Sequence, residues 1–343
     1  MRRLSLLFSM LATTSLAEVP RVATDIAPVH GLVSAVMHGA GQADLIIPAG
    51  ASPHGYAMRP SEARNLAAAD LVIWVGPGLT PWLVDPLESL AGGAEKLTLM
   101  EVDSTRILPV REGVGFVDHD HDDHEEHDDH DDHDAHDDHD DHDDHGAHDD
   151  HDEHKVEEGH DGHHDDEEAH ASSSDPHAWL DPLNGAIWAS AIAKELAQMD
   201  PANAALYQKN ADELTAQLLT FESRTKAGFA PLHDRPFVVL HDAFQYVEAR
   251  FDLKAVASIH DTEAASPGAA RVAQLRAHVL LQGVVCAFAE PQLNQGLLIT
   301  VTEGLPVKIG TLDPLGADVP LGQFHYLETL KQLAADMQIC LAP

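Results

Sequence analysis

LVIWV at residues 71–75, closed by GPG at 76–78, is the stretch on which the fold reading turns. Five apolar residues in a row, rich in β-branched types, are too few for a helix of ordinary length. They suit a strand buried on both faces. Gly76-Pro77-Gly78 then stops the strand abruptly. The neighbouring segments repeat the alternation. Residues 21–24 and 44–48 read as strands, 28–37 and 60–69 as helices, the latter with Ser61 available as a cap near its start. Residues 80–90 read as helical and 96–102 as strand-like. A β-α-β-α order of this kind implies a mostly parallel sheet with helices on both faces.

Two long helical stretches follow further on, 184–199, closed by Pro201, and 202–227. The alternation then restarts. Strands are expected at 237–240, 256–259, 284–289 and 307–310. Helices are expected at 242–250, 267–281 (opened by Ser266-Pro267), 294–302 and 325–339. The fold class is therefore α/β, with two lobes, each a mostly parallel sheet flanked by helices, joined by a long interlobe helix. The boundaries read as an N-terminal lobe at 18–180, linking helices at 181–228 and a C-terminal lobe at 229–343. Ligands of such sheets bind beyond the carboxyl ends of the strands.

The first 17 residues do not belong to that pattern. Arg2 and Arg3 precede a short apolar core, residues 4–11, and a small-x-small site at 15–17. This is the three-part pattern of a secretory signal peptide, too short to span a bilayer. No Cys follows the apolar core, so a lipid anchor is not expected. The mature chain is expected to be soluble and periplasmic. In that compartment the two cysteines, Cys286 and Cys340, read as a disulfide, the alternative being two separate buried thiols. Such a bond closes a loop of about 54 residues and contributes roughly 3–4 kcal/mol in the chain-entropy account.

The formal net charge is −38, and it is unevenly placed. Residues 118–170 hold 28 Asp and Glu, one Lys and 17 His, so this tract carries −27 and the rest of the chain only −11. Between His121 and His154 a histidine falls at every third position. That period matches neither helix nor strand, and almost no residue is apolar. The tract is expected to be a disordered insertion in the first lobe, with several weak, exchangeable zinc sites. The chain has no basic patch to neutralise phosphates, so no nucleic-acid partner is expected.

Nine histidines remain outside the tract. Three have unusual settings. His54 lies in PAGASPHGY (48–56), after a strand and before a helix. His177 lies in DPHAWLDP (175–182), pinned by two Asp-Pro steps. His241 ends the apolar strand at 237–240. Asp313, in GTLDPLG (310–316), follows the last strand. Three imidazoles with a carboxylate or water suit tetrahedral Zn²⁺, which takes neutral imidazole nitrogen readily. His30, His278 and His325 are read as structural, and His260, before Asp261-Thr262-Glu263, as a loop residue near the cleft.

These stretches, together with VVLHDAFQYVEARF (238–251) and CAFAEPQL (286–293), resemble the periplasmic zinc-binding proteins of the ZnuA type, the substrate-binding components of zinc ABC importers. The resemblance extends over nearly the whole mature chain and is interrupted by the charged tract. It implies His54, His177 and His241 as ligands of the transported Zn²⁺. It implies Asp313 as a fourth, a place that water or another carboxylate can take. A manganese-binding branch carries Glu where His241 stands, and histidine there favours zinc. The chain departs from the pattern at Phe244-Gln245, where Tyr-Gly is commoner, and at Pro53, where some relatives place an acid. The Cys pair also resembles the disulfide of one branch of the zinc proteins. The resemblance implies a monomeric, non-catalytic receptor that hands zinc to an ABC permease. A zinc hydrolase is the first alternative, but the chain has no HExxH and no GxSxG. A surface adhesin on the same fold is the second.

Overall fold

The chain forms two four-stranded parallel sheets in the same strand order. The computed structural model describes residues 19–111, 174–260 and 268–343. The signal-peptide and His/Asp-rich readings lie outside the described residues. In the first sheet the order is β2 (Ala43–Leu45), β1 (Val22–Thr24), β3 (Leu71–Trp74), β4 (Glu95–Thr98). In the second it is β6 (Ala255–Ser258), β5 (Phe237–Val239), β7 (Cys286–Ala289), β8 (Lys308–Thr311). Every pairing is parallel. The LVIWV run lies in β3, paired on both sides and buried throughout, as a two-faced strand requires.

Helices fill the crossovers. They are α1 (Ala27–Val36), α2 (Pro60–Ala68), α3 (Val84–Ser89), α4 (Pro182–Met199), α5 (Ala204–Phe229), α6 (Gln245–Phe251), α7 (Ala269–Leu281), α8 (Gly296–Thr302) and α9 (His325–Leu341). Each expected element is present, with three local corrections. Ser61 does not cap α2. Pro60 takes the first helical position, and the Glu62 carboxylate accepts the Arg59 amide at 2.6 Å. The fourth strand stops at Thr98, because residues 99–101 tighten into a 3-10 turn that buries Leu99. The helix after Thr80 begins as a 3-10 turn at Pro81–Leu83 and becomes α-helical only from Val84.

The period of two along the second sheet sorts its side chains between two cores. Phe237, Val239, Cys286 and Phe288 face a large core that continues through Tyr207 and Leu218 of α5 and Trp188 of α4 to the first sheet. Val238, Ala287 and Ala289 face a smaller core beneath α7 and α8, with Leu275, Val279 and Val301. Continuous burial between the sheets ties the first sheet, α4, α5 and the second sheet into one apolar mass. The Cys286–Cys340 disulfide is present, its Cα atoms 6.0 Å apart, and it fastens β7 to the end of α9. Among the described residues no helix is long and apolar enough to cross a membrane.

Both sheets have their topological switch point between the first strand and the third, where successive crossovers leave in opposite directions. At the β1/β3 crevice Asp25 is fully buried and accepts the amides of Ile26 and Val75, both at 2.8 Å. Burial pushes its carboxyl up to about 7. At the β5/β7 crevice the chain leaves the strands through His241 and Glu290.

Candidate metal centre

His54, His177 and His241 come together. One ligand nitrogen from each lies within 4.8 Å of the other two, although the three are far apart in sequence. Their ring centroids are 5.5 Å (His54–His177), 5.6 Å (His54–His241) and 4.8 Å (His177–His241) apart. Each is placed by a different local device.

His54 sits on the loop between β2 and α2. Gly50 allows the turn, with φ of 84°. The Trp82 indole nitrogen donates to the carbonyl of Pro53 at 2.7 Å, and Tyr56 donates to Glu62 at 2.9 Å. These bonds hold the backbone on both sides of the imidazole.

His177 is held from below and from the far lobe. Asp175 accepts both the His177 amide (2.9 Å) and its Nδ1 (2.7 Å). Asp175 is itself bound to Leu108 through its amide at 2.8 Å, and its carbonyl accepts the Tyr246 hydroxyl at 2.8 Å. The turn after His177 carries Trp179, whose indole donates to the Pro314 carbonyl at 2.9 Å. Tyr326 of α9 donates to the Trp179 carbonyl at 2.6 Å, and a Cβ at Gly185 would collide with its ring. Asp181 then starts α4 by accepting the Leu183 amide (2.9 Å) and pairs with Arg250 (2.6 Å). Loss of one partner of such a buried pair costs about 3–5 kcal/mol.

His241 follows β5 after Leu240. Its Nδ1 lies 3.3 Å from Glu290 Oε2. The next residue, Asp242, pairs with Arg111, which also binds Glu248 at 2.8 Å.

The electrostatics favour the neutral form of His54 and His177. Burial, followed by the neighbouring His177 and His241, lowers His54 to about 3. Burial and His241 hold His177 well below the ordinary histidine range. Burial raises Asp175 to about 7. With Nδ1 of His177 engaged by Asp175, its Nε2 is buried without a hydrogen-bond partner among the described residues. Buried nitrogens of that kind are rare and costly unless a ligand completes them. Three imidazoles converging on one point can bind, through neutral ring nitrogens, a borderline-soft divalent ion such as Zn²⁺.

Asp313 is not brought to this group. Its carboxylate accepts the amides of Leu315 (3.0 Å), Gly316 (3.0 Å) and Ala317 (2.6 Å) and the Gln292 side chain (2.7 Å). A carboxylate committed to four donors shapes its own loop, the one whose Pro314 carbonyl holds Trp179. The residue that sequence reasoning passed over is Glu290. It lies just beyond the carboxyl end of a fully buried strand, as His241 does, and that placement was the available signal. His260 lies level with His241, its amide donating to Leu240 at 2.9 Å, and stays outside the three-histidine group. His30 and His278 bind backbone carbonyls of Ala43 and Val256, both at 3.1 Å, in keeping with structural roles.

Fold and site together define a two-lobed α/β metal-binding protein of the solute-receptor class. Comparison with known proteins narrows this. Residues 22–340 match the family described as ZnuA, zinc-uptake complex component A, periplasmic. The high-affinity zinc uptake system protein ZnuA of Paracoccus denitrificans is 42% identical over 326 residues, covering 95% of this chain and 93% of that protein. The protein of the same name from Brucella suis is 39% identical over 321 residues, covering 94% and 91%. The chain belongs to the ZnuA family. Among solved structures, a crystal structure of ZnuA aligns with TM-score 0.69 at 18% identity, covering 94% of this chain and all of that one. A laminin-binding adhesin of Streptococcus agalactiae aligns with TM-score 0.69 at 21% identity, covering 94% of this chain and 99% of that one. At those identities both report a shared fold.

Proposed function

We propose that this chain is an exported receptor that captures Zn²⁺ with His54, His177 and His241 and delivers it to the permease of an ABC importer for high-affinity zinc uptake. The observation that carries the reading is the convergence of three imidazole donors within 4.8 Å at the carboxyl ends of the sheets. Membership of a family of periplasmic zinc-uptake components supports it. Residues 1–17 direct export and are removed, and the receptor works as a monomer of two lobes bridged by α4 and α5. Asp313 shapes its loop, and water completes the coordination. The protein transports its ion and performs no reaction on it.

The experiment is a metal count. Purified protein, dialysed against a weak chelator, is expected to retain one zinc per chain by elemental analysis. A chain that keeps none of the ion, or keeps manganese in preference to zinc when both are offered, overturns the reading.

A further inference from the structure

β5 and β7 are neighbours, in register from Phe237↔Cys286 to Val239↔Phe288. The chain leaves them at the same edge, so His241 and Glu290 come to lie side by side at the switch point. Glu290 Oε2 is 3.3 Å from His241 Nδ1. Glu290 is only 2% exposed, and its other oxygen, Oε1, has no hydrogen-bond partner among the described residues. A strand end in an apolar sheet gives no structural reason to bury a half-partnered carboxylate, and such an oxygen costs stability. The cost is intelligible if the carboxylate serves the neighbouring imidazole.

An imidazole offers two nitrogens, and the bond made by one decides which electron pair the other presents. A carboxylate at Nδ1 keeps the proton there and leaves Nε2 free for a metal, while making the ring a better donor. His177 is held in this way by Asp175 at 2.7 Å. We propose that Glu290 is the positioning residue of the metal centre on the C-terminal lobe: it fixes the tautomer and orientation of His241 so that Nε2 faces the zinc ion. The two rings closest together, His177 and His241, are then oriented by one carboxylate from each side of the cleft. The proposal rests on the three histidines being the ligands, and its test distinguishes the two.

Glu290→Ala, Glu290→Gln and Glu290→Asp are compared with the native chain and with His241→Ala. Zinc affinity is read by competition with a chromophoric chelator, and ligand geometry by the visible absorption of the Co²⁺-loaded protein. Glu290→Ala is expected to weaken zinc binding about 10–100-fold, the usual effect of losing such a partner, and to shift the Co²⁺ bands. Glu290→Gln, whose amide oxygen still accepts from Nδ1, is expected to recover much of that loss. If Glu290→Ala fails to fold, Glu290→Asp decides: its shorter arm is expected to weaken zinc binding and shift the Co²⁺ bands, with the unfolding midpoint of the metal-free protein preserved. Glu290 variants that bind zinc like the native chain and give its Co²⁺ spectrum overturn the proposal while the histidine site stands, provided His241→Ala loses tight binding. If His241→Ala also binds normally, the ligand assignment fails and the proposal falls with it.

Discussion

The chain carries histidine in two ways. Residues 118–170 contain 17 of them, spaced among carboxylates in a nearly uniform pattern. The other group is three, at 54, 177 and 241, each alone in its segment. Abundance favours the tract, but the bonding around the three lone rings is what makes a site of them. The lone histidines are fixed by Trp82 on the Pro53 carbonyl, by Asp175 and by the end of β5, and their nitrogens converge. An ion entering such a site finds its ligands already ordered. Fixed geometry of this kind is what holds an ion tightly.

The comparison breaks most sharply on single substitutions. His177→Ala is expected to weaken the tight site by more than about 100-fold, beyond the range for loss of an outer partner. Any weaker binding by residues 118–170 should be unchanged. A titration with a competing chelator checks this, and tight binding kept in full by His54→Ala, His177→Ala and His241→Ala alike would end the distinction. Removing the disulfide by Cys286→Ser with Cys340→Ser is expected to lower stability by roughly 3–4 kcal/mol in denaturant unfolding, because a closed loop no longer limits the unfolded chain. Since Glu290 follows β7 directly, this change should reach the tight site.

The two groups should also part with pH. His54 is depressed to about 3, chiefly by burial. A depressed histidine favours the neutral ring in the folded state. Its contribution to stability is full above the ordinary histidine range and is lost as pH falls from there through about 3. Neutral imidazole is the ligand form. An ordinary histidine protonates near about 6.5. Lowering the pH from 7.5 to 5 should therefore strip ions from the tract first, with the tight site keeping its zinc, as elemental analysis of dialysed samples will show. The smallest effect sharpens the contrast from the other side. Deleting residues 118–170 should lower the total number of bound ions and change the tight dissociation constant by less than about threefold, within the scatter expected for a site with no ligand in the deleted part.

Much of this was legible in advance, for identifiable reasons. Short apolar runs such as 71–75 and 237–240 have one physical solution in an alternating chain, a strand buried between helices, and both sheets formed there. The three histidines could be singled out because each follows or precedes a strand or helix at the edge where α/β sheets bind ligands. Asp313 satisfied the same rule and lies outside the three-histidine group among the described residues. Position along the chain does not reveal that three loop amides and Gln292 compete for its oxygens. Glu290 was overlooked because its partner, His241, is 49 residues away.

By itself, then, the amino-acid order determined what local chemistry can determine: the strand and helix periods, the two charge regimes and the residue types suited to zinc. Tertiary structure decided which of those residues meet. Parallel pairing of β5 with β7 put Glu290 behind His241. The bond from Trp179 to Pro314 tied the segment carrying His177 to the loop of Asp313, whose carboxylate accepts that loop's own amides. Ligation depends on distances of a few ångströms between segments far apart along the chain, and only the packed strands and helices set those distances.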